Sequence, residues 1–108
     1  MAKKTFTDLY ILVKKKPHRC YQSEIWQKWM NESVDERTIG LSNFLDGTIV
    51  VTEFLGFDVA VKPKLGPMLF ETYVEGGKHS GLVQGYKTWA EAADGHFGVC
   101  WLVKESFH

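Results

Sequence analysis

The amino-acid sequence predicts one α+β domain over residues 1–108, with a small, mainly antiparallel sheet of four or five strands covered on one face by two helices. Three observations support this fold class. A chain of 108 residues has room for one hydrophobic core. Apolar residues make up 44% of it and aromatic residues 14%, which is typical of a folded globule. Segments with the period of a strand lie between an early and a late segment with the period of a helix.

The first third of the chain predicts a short strand followed by a helix. Residues 8–13, DLYILV, are β-branched, aromatic and aliphatic, and lysines and Pro17 end this run. Residues 23–32 have the spacing of an amphipathic helix, with polar residues between the apolar positions Ile25, Trp26, Trp29 and Met30. The hydroxyl of Ser23 is expected to cap this helix by accepting a hydrogen bond from a first-turn amide.

The middle of the chain has the period of strands. The sheet is expected to use residues 36–44, as a strand or as a strand bent at Gly40, and the segments 48–59, 67–75 and 82–86. Asp46 and Gly47 predict a hairpin turn, because both residue types tolerate positive φ. A second turn is expected at 75–81, EGGKHSG, before an edge strand.

The segment 67–75 alternates between two faces. Met68, Phe70, Thr72 and Val74 fall on one face, and Leu69, Glu71, Tyr73 and Glu75 fall on the other. Because Leu69 and Tyr73 are apolar, both faces of the predicted strand carry apolar side chains. We therefore expect the face opposite the helices to meet charged residues, a target or a second copy, so that a homodimer is one expected assembly.

The C-terminal segment predicts a helix that begins at a capping box. Thr88 and Glu91 are three residues apart, so each side chain can accept a hydrogen bond from the other's backbone amide. A continuous helix would carry an apolar stripe of Trp89, Ala93, His96 or Phe97, Cys100 and Val103. Gly95 and Gly98 would each cost about 1 kcal/mol relative to alanine, which close packing of the helix on the sheet would offset.

An alternative ends this helix at Asp94, makes Gly95 its C-terminal cap and continues with HFGVCWLV as a strand. The continuous helix is favoured because a helix of seven residues would bury little apolar surface.

The charge is balanced overall but unevenly distributed. Residues 1–20 carry six Lys and Arg against Asp8 alone, a charge of +5, so the rest of the chain carries −5. A basic cluster can bind phosphates. The interpretation we favour is a solvated lysine turn, because no aromatic residue lies between the lysines. Nucleic acid is therefore not an expected partner, and the neutral total excludes a strongly acidic DNA mimic.

Neither the cysteines nor the N-terminus indicates export. Cys20 and Cys100 lie far apart and form no CxxC motif, so free thiols are expected, with no metal and no cofactor. The longest apolar run near the N-terminus has about five residues, too few for a signal-peptide core or a membrane span. These observations predict a soluble, unprocessed cytoplasmic protein without membrane contact.

Three motifs follow one another along the chain: FLGFD at 54–58, GPMLFETYVEGG at 66–77 and YKTWAEAADGH at 86–96. In this order they resemble a family of small proteins encoded by bacteriophages and prophages, with the pattern FLGxD, a Gly/Pro-rich spacer, LFET and YxTWxEAxxGH. The resemblance covers about residues 8–100. It implies a viral origin and a bacterial cytoplasm as the place of action. Val59 stands where many relatives have a histidine, which disfavours a metal site that includes Asp58.

Polar and aromatic residues within these motifs are the candidate binding residues: Asp58, Glu71, Thr72, Trp89 and His96. A histidine with a carboxylate partner can act as a general base or a metal ligand. The structural alternative, which we favour, is that Glu71 or Asp58 accepts a hydrogen bond from His96 or from loop amides and so satisfies a half-buried polar group. No catalytic residue is assigned, because the sequence pairs no nucleophile with a base.

The tryptophans of this chain are expected mainly in the core: Trp26, Trp29, Trp89 and Trp101. Stacking on bases or on a nucleotide is the alternative. A tryptophan that proves exposed becomes the best candidate for a partner anchor.

Two functions are consistent with the sequence. The first is a non-enzymatic phage accessory protein that binds a host protein, with a component of bacterial defence as one class of target. The second is a small-molecule or nucleotide-binding protein, which sequesters or hydrolyses its ligand in a pocket near His96 and Glu71, with the lysines at 14–16 nearby. The first is favoured because no catalytic set is complete.

Overall fold

The computed structural model describes residues 8–59 and 66–106. These residues form two antiparallel sheets and three helices, which confirms the α+β class. The elements in chain order are β1 (Leu9–Val13), β2 (Lys16–Cys20), α1 (Ser23–Glu32), α2 (Val34–Arg37), β3 (Thr38–Asn43), β4 (Ile49–Phe54), β5 (Phe70–Glu75), β6 (Val83–Tyr86) and α3 (Trp89–Glu105). The strands β3-β4-β5-β6 form a four-stranded sheet in this order, and β1 and β2 form a separate hairpin.

The hairpin was only half predicted, because β2 contains Pro17 and four polar or weakly apolar residues. Its two-residue turn consists of Lys14 and Lys15, at φ 52° and 68°. Positive φ at both positions is the geometry of the tight turns that match the twist of a hairpin. The expected solvated lysine turn is thus present, and it lies inside a paired structure. The amide of Tyr10 donates to the carbonyl of Gly56 at 2.8 Å, which joins the hairpin to the end of β4.

The two central strands of the four-stranded sheet, β4 and β5, have one buried face. Along β4 and β5 the buried residues alternate with half-buried ones, as the period of two requires. We call the buried side, which α3 covers, the inner face, and the opposite side the outer face. The inner-face residues of the two central strands are Val50, Thr52 and Phe54 from β4 and Phe70, Thr72 and Val74 from β5.

Helices pack on the inner face from two directions. The helix α3 contacts all four strands of the sheet. The helix α1 packs mainly on the hairpin and reaches the end of the inner face through Trp29, whose ring meets that of Phe54 edge-on at 5.8 Å. Leu12 of β1 is buried in the same cluster as Phe54 and Phe70, so the hairpin closes this end of the core.

The continuous C-terminal helix is confirmed, since α3 extends over 17 residues without a break. The hydroxyl of Thr88 accepts from the amide of Glu91 at 3.1 Å, and Glu91 accepts from the amide of Lys87, one residue before the expected donor. The predicted apolar stripe is shifted, however: Ala92, His96, Val99 and Val103 are buried. Phe97, which was the alternative to His96 in the predicted stripe, is 77% exposed. Apolar residues occur all around α3, so periodicity alone does not identify its buried side.

Two glycines of α3 have different surroundings. A Cβ built on Gly95 would lie 2.2 Å from the ring of Tyr86, whereas one built on Gly98 would have no neighbour within 4 Å. The prediction that glycine allows close packing of helix and sheet is therefore confirmed for Gly95 and wrong for Gly98.

The structure also decides several smaller predictions. Gly47 adopts a φ of 93° in the turn between β3 and β4, as expected. The N-cap of α1 is Gln22 rather than Ser23, which is the first helical residue. Leu69 was expected on the outer face, but it precedes β5 and is buried in the core with Phe54. Both cysteines are free thiols.

Candidate functional site

The residues selected from the sequence do not form one site. Thr72 and His96 lie on the inner face, and Glu71, the neighbour of Thr72 in β5, points to the outer face. The carboxylate of Asp58 accepts from the amide of Met68 at 2.8 Å, in the connection between β4 and β5. Trp89 packs edge-on against Phe70 with the ring centroids 6.4 Å apart. The sheet therefore separates His96 from Glu71, and the pocket expected between them is not formed.

His96 belongs to a buried chain of hydrogen bonds across the inner face. Its Nδ1 lies 2.7 Å from the hydroxyl of Thr52, and its Nε2 lies 2.9 Å from the hydroxyl of Ser42. Thr52 is hydrogen-bonded to Thr72, which accepts from the phenol of Tyr86 at 3.0 Å. The chain joins all four strands of the sheet to α3. It satisfies polar groups that burial would otherwise leave without partners.

The direction of the protons in this chain follows from the phenol at its end. Tyr86 donates to Thr72. Full pairing then requires Thr72 to donate to Thr52, and Thr52 to donate to Nδ1 of His96. The neutral ring consequently carries its hydrogen on Nε2 and donates it to Ser42.

Ser42 and His96 resemble a nucleophile and a base by distance alone, since 2.9 Å separates the hydroxyl from Nε2. A base must accept the proton of the nucleophile, whereas this Nε2 donates. The orienting partner at Nδ1 is a threonine rather than a carboxylate. Burial lowers the pKa of His96 below 6.5, so the ring is neutral at neutral pH. These features favour the structural role of His96.

A different surface is left open on the outer face. The strand register pairs Leu41 with Val51, Val51 with Tyr73, and Tyr73 with Val83. We call these four residues, one from each strand, the apolar row. Leu41 is 59% exposed and Val83 60%. In the part of the chain that the structure describes, α3 covers the inner face and α1 packs on the hairpin, so neither helix covers the apolar row.

Carboxylates flank the apolar row on both sides. Glu53 and Glu71 are direct partners across β4 and β5, two residues along from the row. Glu75 lies on the other side, paired with Ile49. Arg37 reaches Glu53 at 3.9 Å. Among residues 8–59 and 66–106, no lysine or arginine forms an ion pair with Glu71.

The pKa values of Glu71 and Tyr73 are raised because both groups are partly buried and lie close to other carboxylates. Burial first and the charge of Glu53 second raise the pKa of Glu71. Burial, followed by the negative charges of Glu53, Glu75 and Glu71, raises the pKa of Tyr73. Like charges placed directly opposite each other on neighbouring strands destabilise a sheet. The outer face therefore combines an open apolar row with carboxylates of which, among the described residues, Glu53 alone has an ion partner.

A concave feature lies beside the lysine turn. A cavity of about 380 Å³ is lined by Lys14, Lys15 and Trp89 together with Leu12, Asp35, Glu36 and Thr38. The ammonium of Lys15 stands 5.2 Å from the ring centre of Trp89, within the range of a cation–π contact. Trp89, selected from the sequence, therefore lines this cavity and not one that contains His96 or Glu71.

Several residues of these sites carried no signal in the sequence. Ser42 and Thr52 become partners of His96 only through strand pairing, and the apolar row is defined only by register. The alternation of residues 67–75 did place Glu71 and Tyr73 on a common face. This is the part of the outer face that could be predicted from the sequence.

Comparison of the chain with protein-family models, with curated proteins and with solved structures finds no match. The resemblance to phage proteins therefore stays a prediction. No helix in the described ranges is both long enough and apolar enough to cross a membrane. Within the same ranges, no three His, Cys, Asp or Glu side chains are grouped so that they would hold a metal ion.

Proposed function

We propose that this is a non-enzymatic binding protein that docks a partner protein on the outer face of its four-stranded sheet. The open apolar row of Leu41, Val51, Tyr73 and Val83 is the observation that carries this proposal. Exposed apolar surface with a polar border is typical of interaction sites. The phage resemblance supports a host protein in the bacterial cytoplasm as the partner, with a defence factor as one class of target.

The charges around the apolar row indicate the chemistry of the partner. Glu53 and Glu71 border one side and Glu75 the other, and only Glu53 has a described ion partner, Arg37. A partner with an apolar strip between lysines or arginines would bury the row and neutralise the carboxylates together. The expected partner surface is therefore basic at its border and apolar at its centre.

A second copy of this chain fits the outer face less well. Two sheets packed face to face around a two-fold axis along the strands bring Glu53 and Glu71 against the same residues of the other copy. An axis along the apolar row sets Glu71 against Glu75 instead. Both arrangements oppose carboxylates, which costs association energy. A homodimer through this face is for that reason the weaker alternative.

The docking face can be tested with one charged substitution in the row and a matched one outside it. We expect Leu41→Lys to reduce the amount of partner captured from bacterial host lysate at least about tenfold, because it places an ammonium in the apolar row, where the partner surface is expected to be apolar. Leu45→Lys is the control, since Leu45 is fully exposed in the turn after β3. The readout is quantitative mass spectrometry of proteins held by wild-type and variant baits. Equal capture by all three baits would place docking elsewhere.

Glu71→Gln separates the stability of the free protein from binding. Removing one of two opposed carboxylates should raise the free energy of unfolding by about 0.5 kcal/mol at neutral pH. The pKa of Glu71 is raised in the folded state, so wild type binds more protons than the unfolded chain at mildly acidic pH. The difference between wild type and variant should therefore shrink as the pH falls. Binding of a captured basic partner should weaken, and an unchanged affinity would contradict the charge argument.

A small-molecule function is favoured by a different observation, the cavity between the lysine turn and Trp89. Two cations beside an aromatic ring suit an anionic aromatic compound such as a nucleotide. Lys14 and Lys15 also hold strained backbone conformations, at φ 52° and 68°, and such strain often accompanies a functional position. Asp35 and Glu36 on the same cavity wall oppose anion binding, which ranks this function second.

This second function predicts a bound compound. We expect mass spectrometry of the supernatant of heat-denatured protein to detect an anionic ligand with wild type and to lose most of that signal with Lys15→Ala. Lys78→Ala is the matched control, because it removes an exposed lysine from the turn at 76–81. An anionic ligand released from Lys78→Ala but not from Lys15→Ala would support binding in this cavity. An empty supernatant, with no heat of binding when ATP is titrated into wild type, would reject it.

A further inference from the structure

The side of α3 that faces away from the sheet carries a regular series of exposed residues. Ala90, Asp94, Phe97, Trp101 and Lys104 follow one another at intervals of four, three, four and three, which keeps them on one side of a helix. We call these five residues the α3 seam. Phe97 is 77% exposed and Trp101 64%. The residues that α3 buries on the sheet, Ala92, His96, Val99 and Val103, lie on the opposite side.

The two aromatic residues of the seam are largely exposed within the described fold. Phe97 and Trp101 are one helical turn apart, so their rings are neighbours on the helix surface. Each ring would bury roughly 150–250 Å² if it were covered. Trp101 is the one exposed tryptophan among the described residues, and an exposed tryptophan is the best candidate for a partner anchor. An exposed aromatic pair of this size indicates an interface.

The sequence of the seam is complementary to itself in one orientation. When two copies of α3 lie antiparallel across a two-fold axis level with Val99, Phe97 of each copy faces Trp101 of the other. In the same register Asp94 faces Lys104 of the other copy, on both sides of the axis. The aromatic residues thus meet at the centre and opposite charges meet at the ends. Asp94 and Lys104 form no salt bridge within residues 8–59 and 66–106.

The parallel orientation has no such match. It would place Asp94 against Asp94 and Lys104 against Lys104, and like charges at these positions oppose association. A partner of different sequence would need an aromatic centre with one acid and one base in the same order, which α3 itself provides. The charge pattern therefore selects a second copy in the antiparallel orientation.

We propose that two copies of this protein associate through their α3 seams as an antiparallel homodimer. Four aromatic rings anchor the contact, and the two Asp94–Lys104 pairs fix its register. The buried area of a single pair of helices lies at the low end for protein interfaces, so the dimer is reversible and depends on concentration. Because α3 covers the inner face of the sheet, the outer faces of the two copies stay uncovered and point in opposite directions. The dimer thus presents two equivalent sheet faces.

Sedimentation velocity from low micromolar to high micromolar protein concentration tests the dimer. We expect wild type to change from monomer to dimer across this range, and Trp101→Ala to weaken dimerisation at least about tenfold because it removes an interface anchor. Leu102→Ala is the control, since Leu102 is 41% exposed and lies beside the seam rather than in it. A wild-type protein that stays monomeric over the whole range overturns the proposal.

Charge reversal tests the register without removing an aromatic ring. We expect Asp94→Lys and Lys104→Asp to weaken dimerisation by up to about tenfold each, because each turns two attractive pairs into repulsive ones. The double variant Asp94→Lys with Lys104→Asp should recover wild-type association. Recovery is specific to the antiparallel register. Single variants that dimerise like wild type, or a dimer lost in Leu41→Lys but kept in Trp101→Ala, overturn the α3 seam and place self-association on the outer face of the sheet.

Discussion

Replacing Gly95 with alanine is expected to lower the free energy of unfolding by about 3 kcal/mol, whereas the same change at Gly98 should raise it by about 1 kcal/mol. The two positions share one helix and one substitution, so helix propensity favours alanine equally at both. They differ in what the added methyl group meets: the ring of Tyr86 at 2.2 Å for Gly95, and nothing within 4 Å for Gly98. The clash must lift α3 from the sheet or displace Tyr86 from the core.

Urea denaturation followed by tryptophan fluorescence measures both changes under two-state conditions. A third variant identifies the cause. If the clash with Tyr86 is responsible, Gly95→Ala combined with Tyr86→Val should be less unstable than the sum of the single variants, because the smaller side chain makes room for the methyl group. Equal effects of alanine at Gly95 and at Gly98 would contradict the close approach of helix and sheet.

The fold class followed from the sequence because local patterns in this chain agree with the tertiary structure. The alternation of β4 and β5 and the capping residue Thr88 each determine an element without long-range information. The hairpin partner β2 was missed because Pro17 and the polar residues around it lack the signature of a strand. Its pairing depends on the turn at Lys14 and Lys15, two residue types that seldom adopt positive φ.

The hydrogen-bond chain of His96 and the apolar row were less predictable than the fold, because both depend on which residues become neighbours across strands. Thr72 and His96 were selected for their chemistry, yet their link through Thr52 exists only in the folded register. His96 and Glu71 were expected together, and the alternation of β5 sends Glu71 to the other face. The seam on α3 has a regular spacing, but it is meaningful only once the buried side of the helix is known.

His96 is held in the core by contacts that suit a neutral imidazole. Its ring packs against Gly40 of β3, where an added Cβ would come within 2.7 Å of the ring atoms. Both ring nitrogens have hydroxyl partners, and no carboxylate is among them. A protonated ring would have to donate to Thr52, and the hydroxyl hydrogen of Thr52, which Nδ1 accepts in the neutral form, would then need a new acceptor. Protonation is therefore unfavourable in the folded protein.

We expect His96→Ala to lower the free energy of unfolding by about 3 kcal/mol, because it leaves a cavity beside Gly40 and removes the partner of two hydroxyl groups. Binding of a captured partner protein should be unchanged once the variant is measured below its melting temperature. A variant of wild-type stability that has lost binding or turnover of a ligand would instead assign His96 to a functional site.

The pH dependence of stability provides the independent test of this role. The pKa of His96 is below 6.5 in the folded protein because of burial, so the unfolded chain binds a proton first as the pH falls. Well above pH 6.5 the ring is neutral in both the folded and the unfolded chain, so it contributes no pH dependence to stability. Below this pH, wild type should lose stability with falling pH, and His96→Ala should lose less over the same interval. Urea denaturation between pH 7.5 and 5.5, values chosen to span the ordinary histidine pKa of about 6.5, compares the two proteins. Parallel curves for wild type and variant would show that the folded protein tolerates a charged ring, contrary to the expectation from the buried hydroxyl chain.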